Sequence, residues 1–334
     1  MKPLPRIVLL ATGGTIAAAP DPTREGRAAG RYQAGALGIQ ALAAGVPALG
    51  QLAQLRAEQL FAIDSKDMSD ARMLRLARRA AALLADEAVD GLVITHGTDT
   101  LEESAYLLHL LLKSAKPVVF TGAMRPGHAL SPDGPANLYQ AVAVAASPAA
   151  AGQGVLIVMN GAIWSARDVD KQDAAALHAF GSPHGPLGRV VGNQPRFYRA
   201  PSRAHTLHTS FSLRGLRALP PVGIVSAYAG IGPAAYEALA AAGARGIVHA
   251  GFGAGSVPQN LWPTLRALRQ RGVQIVRASR TGAGPLLRDS AAPDTREHCL
   301  AADDQPPTQA RLLLALGLAH GVDTAALQEL FLQY

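Results

Sequence analysis

Five short apolar runs punctuate the first half of the chain: Ile7–Ala11, Gln59–Ile63, Gly91–Thr95, Val118–Thr121 and Val155–Met159. Runs of β-branched and aliphatic residues at this length suit strands covered on both faces, as in a parallel sheet. Between them the period changes. Asp70–Leu84 carries Met73, Leu74, Leu76, Ala77, Ala80 and Leu83 on one face above arginines, which predicts an amphipathic helix. Thr100-x-x-Glu103 reads as a capping box, the threonine accepting from a free backbone N–H and the glutamate returning the bond, and it opens a helix through Tyr106 and Leu110. Asp133-Gly-Pro-Ala-Asn137 opens another, with Pro135 suited to a first turn. Strand–helix alternation of this kind predicts βαβ units.

From Arg199 to Pro221 the periodicity lapses into Pro, Ser, His and Thr, which reads as a linker. Alternation resumes with strands over Val222–Ser226, Gly246–His249 and Val273–Arg277. Helices are expected over Ala234–Ala242, Leu261–Arg271, Thr308–His320 and, briefly, Leu327–Phe331. The expected architecture is therefore α/β with two domains. A larger N-terminal domain with a mostly parallel sheet covers residues 1–199, a linker covers 200–221, and a smaller C-terminal α/β domain covers 222–334. The stretch from Ala17 to Gly38 departs from the pattern, being long, polar and glycine-rich. Long loops of this type are functional or disordered, and directly after Thr15 this one reads as a lid over a site.

Composition narrows the class. A hydrophobic fraction of 49% and a charged fraction of 16% over 334 residues describe a globular protein with a sizeable core. The formal charge of +7 raises a nucleic-acid reading, but the arginines are dispersed and the aromatics, 5% of the chain, are not interleaved with them as stacking platforms require. The charge fits solvated faces and attraction of anionic substrates. Cys299 is the only cysteine, so no intrachain disulfide is possible. Ile7–Ala11 is too short for the core of a signal peptide, and nothing else reaches transmembrane length without charge or proline. The expectation is a cytoplasmic protein without membrane contact, a trimmed export signal being the alternative. The ten histidines lack ligand spacing, so neither metal nor cofactor is expected.

The chemistry concentrates where two of the apolar runs stop. In open α/β sheets ligands bind beyond the carboxyl ends of the strands. Arg6-Ile-Val-Leu-Leu-Ala-Thr-Gly-Gly-Thr15 and Gly91-Leu-Val-Ile-Thr-His-Gly-Thr98-Asp99 thus bring Thr15, Thr98 and Asp99 to one crevice, which points to an enzyme. A threonine hydroxyl is a weak nucleophile that needs a base or a hydrogen-bond chain to shed its proton. Glycine before it lets substrate and backbone approach closely, and N–H groups at the following helix start stabilise an oxyanion. The plainer reading of Gly13-Gly14-Thr15 is a turn, and that of Thr98-Asp99 a helix cap with its neighbour. No Gly-x-Gly-x-x-Gly follows the first strand and no Walker lysine occurs, which removes a nucleotide-binding reading.

Taken together, Ala11-Thr-Gly-Gly-Thr-Ile-Ala17 and Thr95-His-Gly-Thr-Asp-Thr-Leu-Glu-Glu103 resemble the two signature segments of the bacterial L-asparaginases, the asparaginase/glutaminase family. Further similar segments follow in order: Tyr32-Gln-Ala-Gly35, Ser65-Lys-Asp-Met68, Thr121-Gly-Ala-Met-Arg-Pro126, Asp133-Gly-Pro-x-Asn-Leu-Tyr139, Arg167-Asp-Val-Asp-Lys171 and Gly185-Pro-Leu-Gly188. The resemblance runs more weakly to Phe331-x-x-Tyr334 and so covers nearly the whole chain. It implies an amidohydrolase acting on L-asparagine through an acyl-enzyme, with Thr15 as nucleophile and Tyr32, in the lid, bonded to its hydroxyl. Thr98, Asp99 and Lys171 match a buried Thr–Asp–Lys constellation that guides the water resolving the ester. Ser65, with Asp99 in a second role, is implied to hold the substrate's α-groups, and Ala123 to offer its backbone to the leaving amide. A homo-oligomer, dimer or tetramer, is implied as well.

Three positions depart from the family pattern. Lys66 stands where many members carry a substrate-touching glutamine, so the resemblance implies a substrate-binding residue whose cation either clamps the α-carboxylate or repels the ammonium. Ser256 stands where tetrameric members often present asparagine to a neighbouring site, and Ala291 near the place of their cross-subunit glutamate; Asp289, Asp294 and Glu297 are the carboxylates close by. From these departures we expect asparagine to be favoured over glutamine, since the longer amide needs every α-group anchor to reach Thr15. The alternatives are a glutaminase-asparaginase of broad specificity, the ammonia-releasing subunit of a tRNA-dependent amidotransferase, and a non-catalytic amino-acid-binding protein. The amidotransferase subunit carries an extra N-terminal domain for which the first strand, starting near Met1, leaves no room, and binding alone needs no nucleophile.

Overall fold

The computed structural model describes residues 3–20 and 32–334, with the backbone alone of Tyr32. It divides into two compact units, Met1–Thr209 and Ser210–Tyr334, the division falling inside the expected 200–221 segment. In the first unit the chain runs β1 (Arg6–Gly13), β2 (Ala19–Pro20), β3 (Tyr32–Gln33), α1 (Ile39–Ala44), β4 (Gln54–Ile63), α2 (Asp70–Ala85), β5 (Gly91–Thr95) and α3 (Leu101–Leu111). It continues through β6 (Val118–Thr121), α4 (Gly134–Ala145), β7 (Val155–Met159), β8 (Ala162–Ser165), β9 (Asp170–Lys171), β10 (Phe180–Gly181), β11 (Gly188–Val191) and β12 (Gln194–Phe197).

Eight of these strands form one sheet in the order β12-β11-β8-β7-β6-β5-β1-β4. β4, β1, β5, β6 and β7 are parallel, while β8, β11 and β12 extend the sheet antiparallel. The chain leaves β1 for β4 on one side and then crosses to β5 on the other, so β1 and β5 flank a topological switch point. β1 is buried on both faces, which is why its run is apolar without alternation. Ile7, Leu9 and Ala11 join Val93, Val119, Leu156 and Val158 in a core with Ile39 of α1 and Leu138, Ala141 and Val142 of α4. Val8, Leu10, Leu92 and Ile94, on the opposite face by the period of two, are equally buried.

The second unit carries a parallel sheet in the order β13-β14-β15-β16, from β13 (Val222–Ser226), β14 (Gly246–Gly251), β15 (Gln274–Ser279) and β16 (Leu300–Ala301). Its helices are α5 (Ala234–Ala241), α6 (Trp262–Gln270), α7 (Asp294–Glu297), α8 (Pro307–Ala319) and α9 (Thr324–Gln333). Tyr236, Ile247, Leu261, Leu265 and Ile275 lie at its centre. The larger sheet is mostly parallel and the smaller one wholly so, the α/β class expected from the alternation.

The capping box does not form as expected. Thr100 is the N-cap of α3, yet its hydroxyl donates 2.9 Å to the Ser65 carbonyl instead of capping the helix. A tertiary acceptor has outcompeted the local one.

Candidate active site

Four parallel strands end on one edge of the first sheet, and each delivers a short loop there. After β1, Gly13 and Gly14 take φ of 108° and 84°, and Thr15 opens a 3-10 turn over Thr15–Ala17. The glycines are required sterically. A Cβ at Gly13 would strike the Ile63 backbone, and one at Gly14 the Gly97 backbone. The Gly14 N–H donates to Ile63 O at 2.8 Å, tying the loop after β1 to the end of β4. Thr15 is half-buried, in the residue after this contact.

The loop after β4 turns at Asp64, and Ser65, 2% exposed, points back into the edge. Its Oγ accepts from the Asp99 N–H at 3.1 Å, which leaves the Ser65 hydroxyl proton to donate elsewhere. A Cβ on Gly97 would meet both Ser65 Oγ and Gly14 Cα, so the three loops are in van der Waals contact. After β5, Thr98 is buried and Asp99 is exposed, both just ahead of the α3 N-terminus. Lys171 arrives from β9, which pairs antiparallel with β10. Its Nζ donates to Thr98 Oγ1 at 2.9 Å and to Asp99 Oδ1 at 2.7 Å, with the lysine side chain 17% exposed and the aspartate 54%. The positive end of α3 lies beside the Asp99 carboxylate.

The loop after β6 carries Ala123, 1% exposed. Asp133 holds this loop by accepting from the Met124 and Arg125 N–H groups at 3.0 and 2.8 Å, and Asn137 donates to Gly122 O at 3.0 Å. A Cβ on Gly122 would press on His96 O and Thr98 Cγ2, which sets Ala123 one residue from the Thr98 side chain. The Asp133-Gly-Pro-x-Asn137 motif therefore works as a brace for this loop.

Thr98, Asp99, Lys171 and Ser65 are brought together by hydrogen bonds, and Thr15 and Ala123 stand on loops packed against theirs. Lys66 is not part of that cluster: its ammonium is 64% exposed and bonds Asp64 at 2.9 Å and Asp67 at 3.2 Å. Residues 21–31 of the expected lid and the Tyr32 side chain lie outside the described residues; the backbone of Tyr32 pairs with Pro20 at the base of that segment. Of the three carboxylates near Ala291, Asp294 is fully buried against Arg277, and Glu297 is 3% exposed and held by Arg266 and Arg296. Asp289 is 46% exposed, but its oxygens accept from the Thr295 N–H and hydroxyl.

Two acids behind the cluster were not anticipated. Glu102, in the first turn of α3, is 5% exposed, and its Oε2 is buried without a hydrogen-bond partner. Burial, followed by the repulsion of Asp170, pushes its carboxyl up to about 8. Burial likewise raises Asp170, the neighbour of Lys171 on β9. The signal for Glu102 in the sequence was its place between Leu101 and, one turn on, Ala105 and Tyr106, all of them buried. His96 is also wholly buried; burial lowers it to about 4, and as a neutral ring its Nδ1–H donates to Gly97 O at 2.7 Å. It shapes the loop and does not titrate near neutrality. Among the described residues, no group of three or more His, Cys, Asp or Glu could hold a metal ion, and no helix is long and apolar enough to cross a membrane.

Comparison with known proteins adds an independent line. Residues 6–203 match the asparaginase N-terminal family model, and residues 221–331 match the glutaminase/asparaginase C-terminal domain model. The chain is 45% identical over 332 residues to a glutaminase-asparaginase of Pseudomonas fluorescens biotype A, covering 99% of this chain and 91% of that one. It is 41% identical over 332 residues to L-asparaginase 2 of Escherichia coli strain K12, covering 99% and 94%. A solved structure of a probable cytoplasmic L-asparaginase from Campylobacter jejuni superposes with a TM-score of 0.93 at 43% identity, over 99% of this chain and 100% of that one. With both of its units matched and relatives alike over its full length, the chain belongs to the asparaginase family.

Proposed function

We propose that this chain is an L-asparaginase, hydrolysing the side-chain amide of L-asparagine to L-aspartate and ammonia through an ester on Thr15. The observation that carries the reading is the bonded set Lys171–Thr98 and Lys171–Asp99 next to the Gly13-Gly14-Thr15 turn. In the first half-reaction Thr15 Oγ adds to the amide carbon as its proton leaves towards Tyr32. Negative charge on the carbonyl oxygen is met by backbone N–H groups of the loops after β1 and β5. Collapse with a proton to nitrogen breaks the C–N bond, expels ammonia past the Ala123 backbone and leaves the β-aspartyl ester. In the second half-reaction a water beside Thr98 adds to the ester carbon, its proton passing by way of the Thr98 hydroxyl to Lys171 acting as the neutral amine across their 2.9 Å contact, and from there to the departing Thr15 oxygen. Thr15 regains a proton as aspartate leaves.

Ser65 donates its hydroxyl proton to the substrate's α-carboxylate, and Asp99 accepts from the α-ammonium while remaining paired with Lys171. Lys66 acts through charge: by pairing Asp64 and Asp67 it removes repulsion from a carboxylate arriving at Ser65. Assembly as a homodimer or homotetramer, and residence in the cytoplasm, belong to the same proposal; likeness to the probable cytoplasmic L-asparaginase of Campylobacter jejuni supports the latter.

A second reading, broad activity on asparagine and glutamine alike, is favoured by one observation. The relatives at 45% identity, both from Pseudomonas, are named glutaminase-asparaginase, against 41% for those named L-asparaginase 2. The test is kcat/KM from ammonia release on L-asparagine, L-glutamine and their D-forms with purified protein. We expect L-asparagine to lead by tenfold or more, on the order of 1.4 kcal/mol in the transition state. Comparable efficiency on the two L-amides selects the second reading, and no ammonia from either sinks both.

A further inference from the structure

The second unit contains a cleft of about 560 Å³ lined by Arg266, Arg269 and Gln270 of α6, Arg296 and Glu297 of α7, and His298. None of these residues enters the proposed hydrolysis. Three arginines and one glutamate line it, an excess of two positive charges before His298 is counted. The carboxylate does not fill the space. Glu297 is 3% exposed and turned into the wall, accepting from Arg266 Nε at 2.5 Å and from Arg296 Nε at 2.9 Å. It thereby fixes two arginines side by side, while their side chains remain 50% and 72% exposed. The Arg266 bonds, foremost, hold its carboxyl below the usual range.

Arg269 is anchored differently. One of its terminal nitrogens donates to Val273 O at 3.0 Å and to Gln274 Oε1 at 2.5 Å, while its Nε is buried without a hydrogen-bond partner. Guanidinium groups held in place present planar N–H pairs suited to two-oxygen recognition of phosphate and carboxylate. The volume lies in the range of small-molecule sites.

We propose that this cleft is a second binding site, for a small ligand carrying a doubly charged oxyanion, either a phosphomonoester or a dicarboxylate. The fixing of Arg266 and Arg296 side by side on one buried carboxylate, in a cleft that Arg269 also lines, carries it, and it stands whether or not the chain hydrolyses asparagine.

The experiment is titration calorimetry on the full-length protein at fixed ionic strength, with inorganic phosphate, succinate and acetate as probes. Saturable binding of phosphate or succinate at one site per chain, at least tenfold tighter than acetate, is expected. Tighter phosphate assigns a phosphoryl ligand and tighter succinate a dicarboxylate. Arg296→Gln, which gives up the bond to Glu297, should weaken the better probe tenfold or more with unfolding and asparagine turnover unchanged. Arg269→Gln, checked for folding by thermal unfolding, should do the same. Arg56→Gln, an exposed arginine of the first unit, should leave binding as it was. Acetate binding as tightly as the dianions, or equal losses from Arg56→Gln and Arg296→Gln, would reduce the effect to diffuse surface charge and overturn the proposal.

Discussion

The ammonium of Lys171 bridges two consecutive residues, lying 2.9 Å from Thr98 Oγ1 and 2.7 Å from Asp99 Oδ1. One lysine thus couples a buried hydroxyl to an exposed carboxylate at the start of α3. Its own strand is only two residues long and sits outside the main sheet, yet the side chain is largely buried where it meets them. Replacing Lys171 with Met keeps the length and removes both bonds. We expect kcat to fall by about 10²–10⁴, the usual worth of positioned acid–base catalysis, with KM changed far less. Steady-state kinetics decide: a variant that loses affinity alone would assign Lys171 to substrate binding.

Thr15 follows the Gly13-Gly14 turn, and the proposed ester forms on its oxygen. Thr15→Ala should remove turnover without altering thermal unfolding, because the turn's geometry belongs to the two glycines. Acid quenching during turnover, followed by intact-protein and peptide mass measurement, should find an aspartyl adduct on Thr15 in the wild type. Retained turnover in the folded Ala variant would rule out this residue as nucleophile.

Gly97 is the steric hinge of the site, since a Cβ there meets Ser65 Oγ, Ser65 Cβ and Gly14 Cα at once. Gly97→Ala must displace the loop that aligns Asp99 N–H with Ser65, and overpacking of this kind costs about 1–3 kcal/mol. We expect both lower stability and a fall in kcat/KM. Gly50→Ala, where nothing lies within 4 Å, is the matched control and should stay within about 0.5 kcal/mol of wild type.

Strands whose apolar runs are bounded by turn residues were legible in the sequence at both ends: Gly91–Thr95, Val118–Thr121, Val155–Met159 and Val222–Ser226 all form as expected. β8 to β12 were not, because Gly188–Val191 and Gln194–Phe197 are short, partly polar antiparallel segments whose pairing is decided by neighbours far along the chain. β4 begins five residues before the expected Gln59, its polar half alternating along the open edge of the sheet. α9 starts at Thr324, ahead of Leu327, because Asp323 caps it by accepting from the Ala326 N–H. At the site, strand-end glycines and hydroxyls marked Thr15, Thr98 and Asp99, and motif resemblance marked Lys171. The engagement of Lys66 with Asp64 and Asp67 was hidden, since both partners flank it and only the turn over Ser65–Asp67 folds them onto its ammonium. The two compact units divide between Thr209 and Ser210, where Lys113 donates to the Thr206 and Thr209 carbonyls and pins a segment that reads as polar loop.

Glu102 gives a pH signature of known sign. Its folded carboxyl sits at about 8 against an ordinary value of 4.5, chiefly through burial, so the native state holds a proton that the unfolded chain releases. That contribution is complete below pH 4.5 and is lost as pH rises through about 8. His96, lowered to about 4, and His109, lowered to about 3, act in the opposite direction, because the unfolded chain takes up protons as pH falls below 6.5. The ranges overlap, and below 6.5 the two histidines outweigh the one glutamate, so the combined contribution of these three groups should peak at about pH 6.5 and fall on both sides. Glu102→Gln keeps the shape of the neutral acid and cannot ionise. It should match wild type at pH 4.5 and exceed it increasingly towards pH 9, by on the order of 3–5 kcal/mol at most. Urea unfolding at the two pH values measures the difference directly. An equal offset at both would mean that Glu102 does not change ionisation on unfolding, and that the buried acid behind Lys171 is charged in the folded protein.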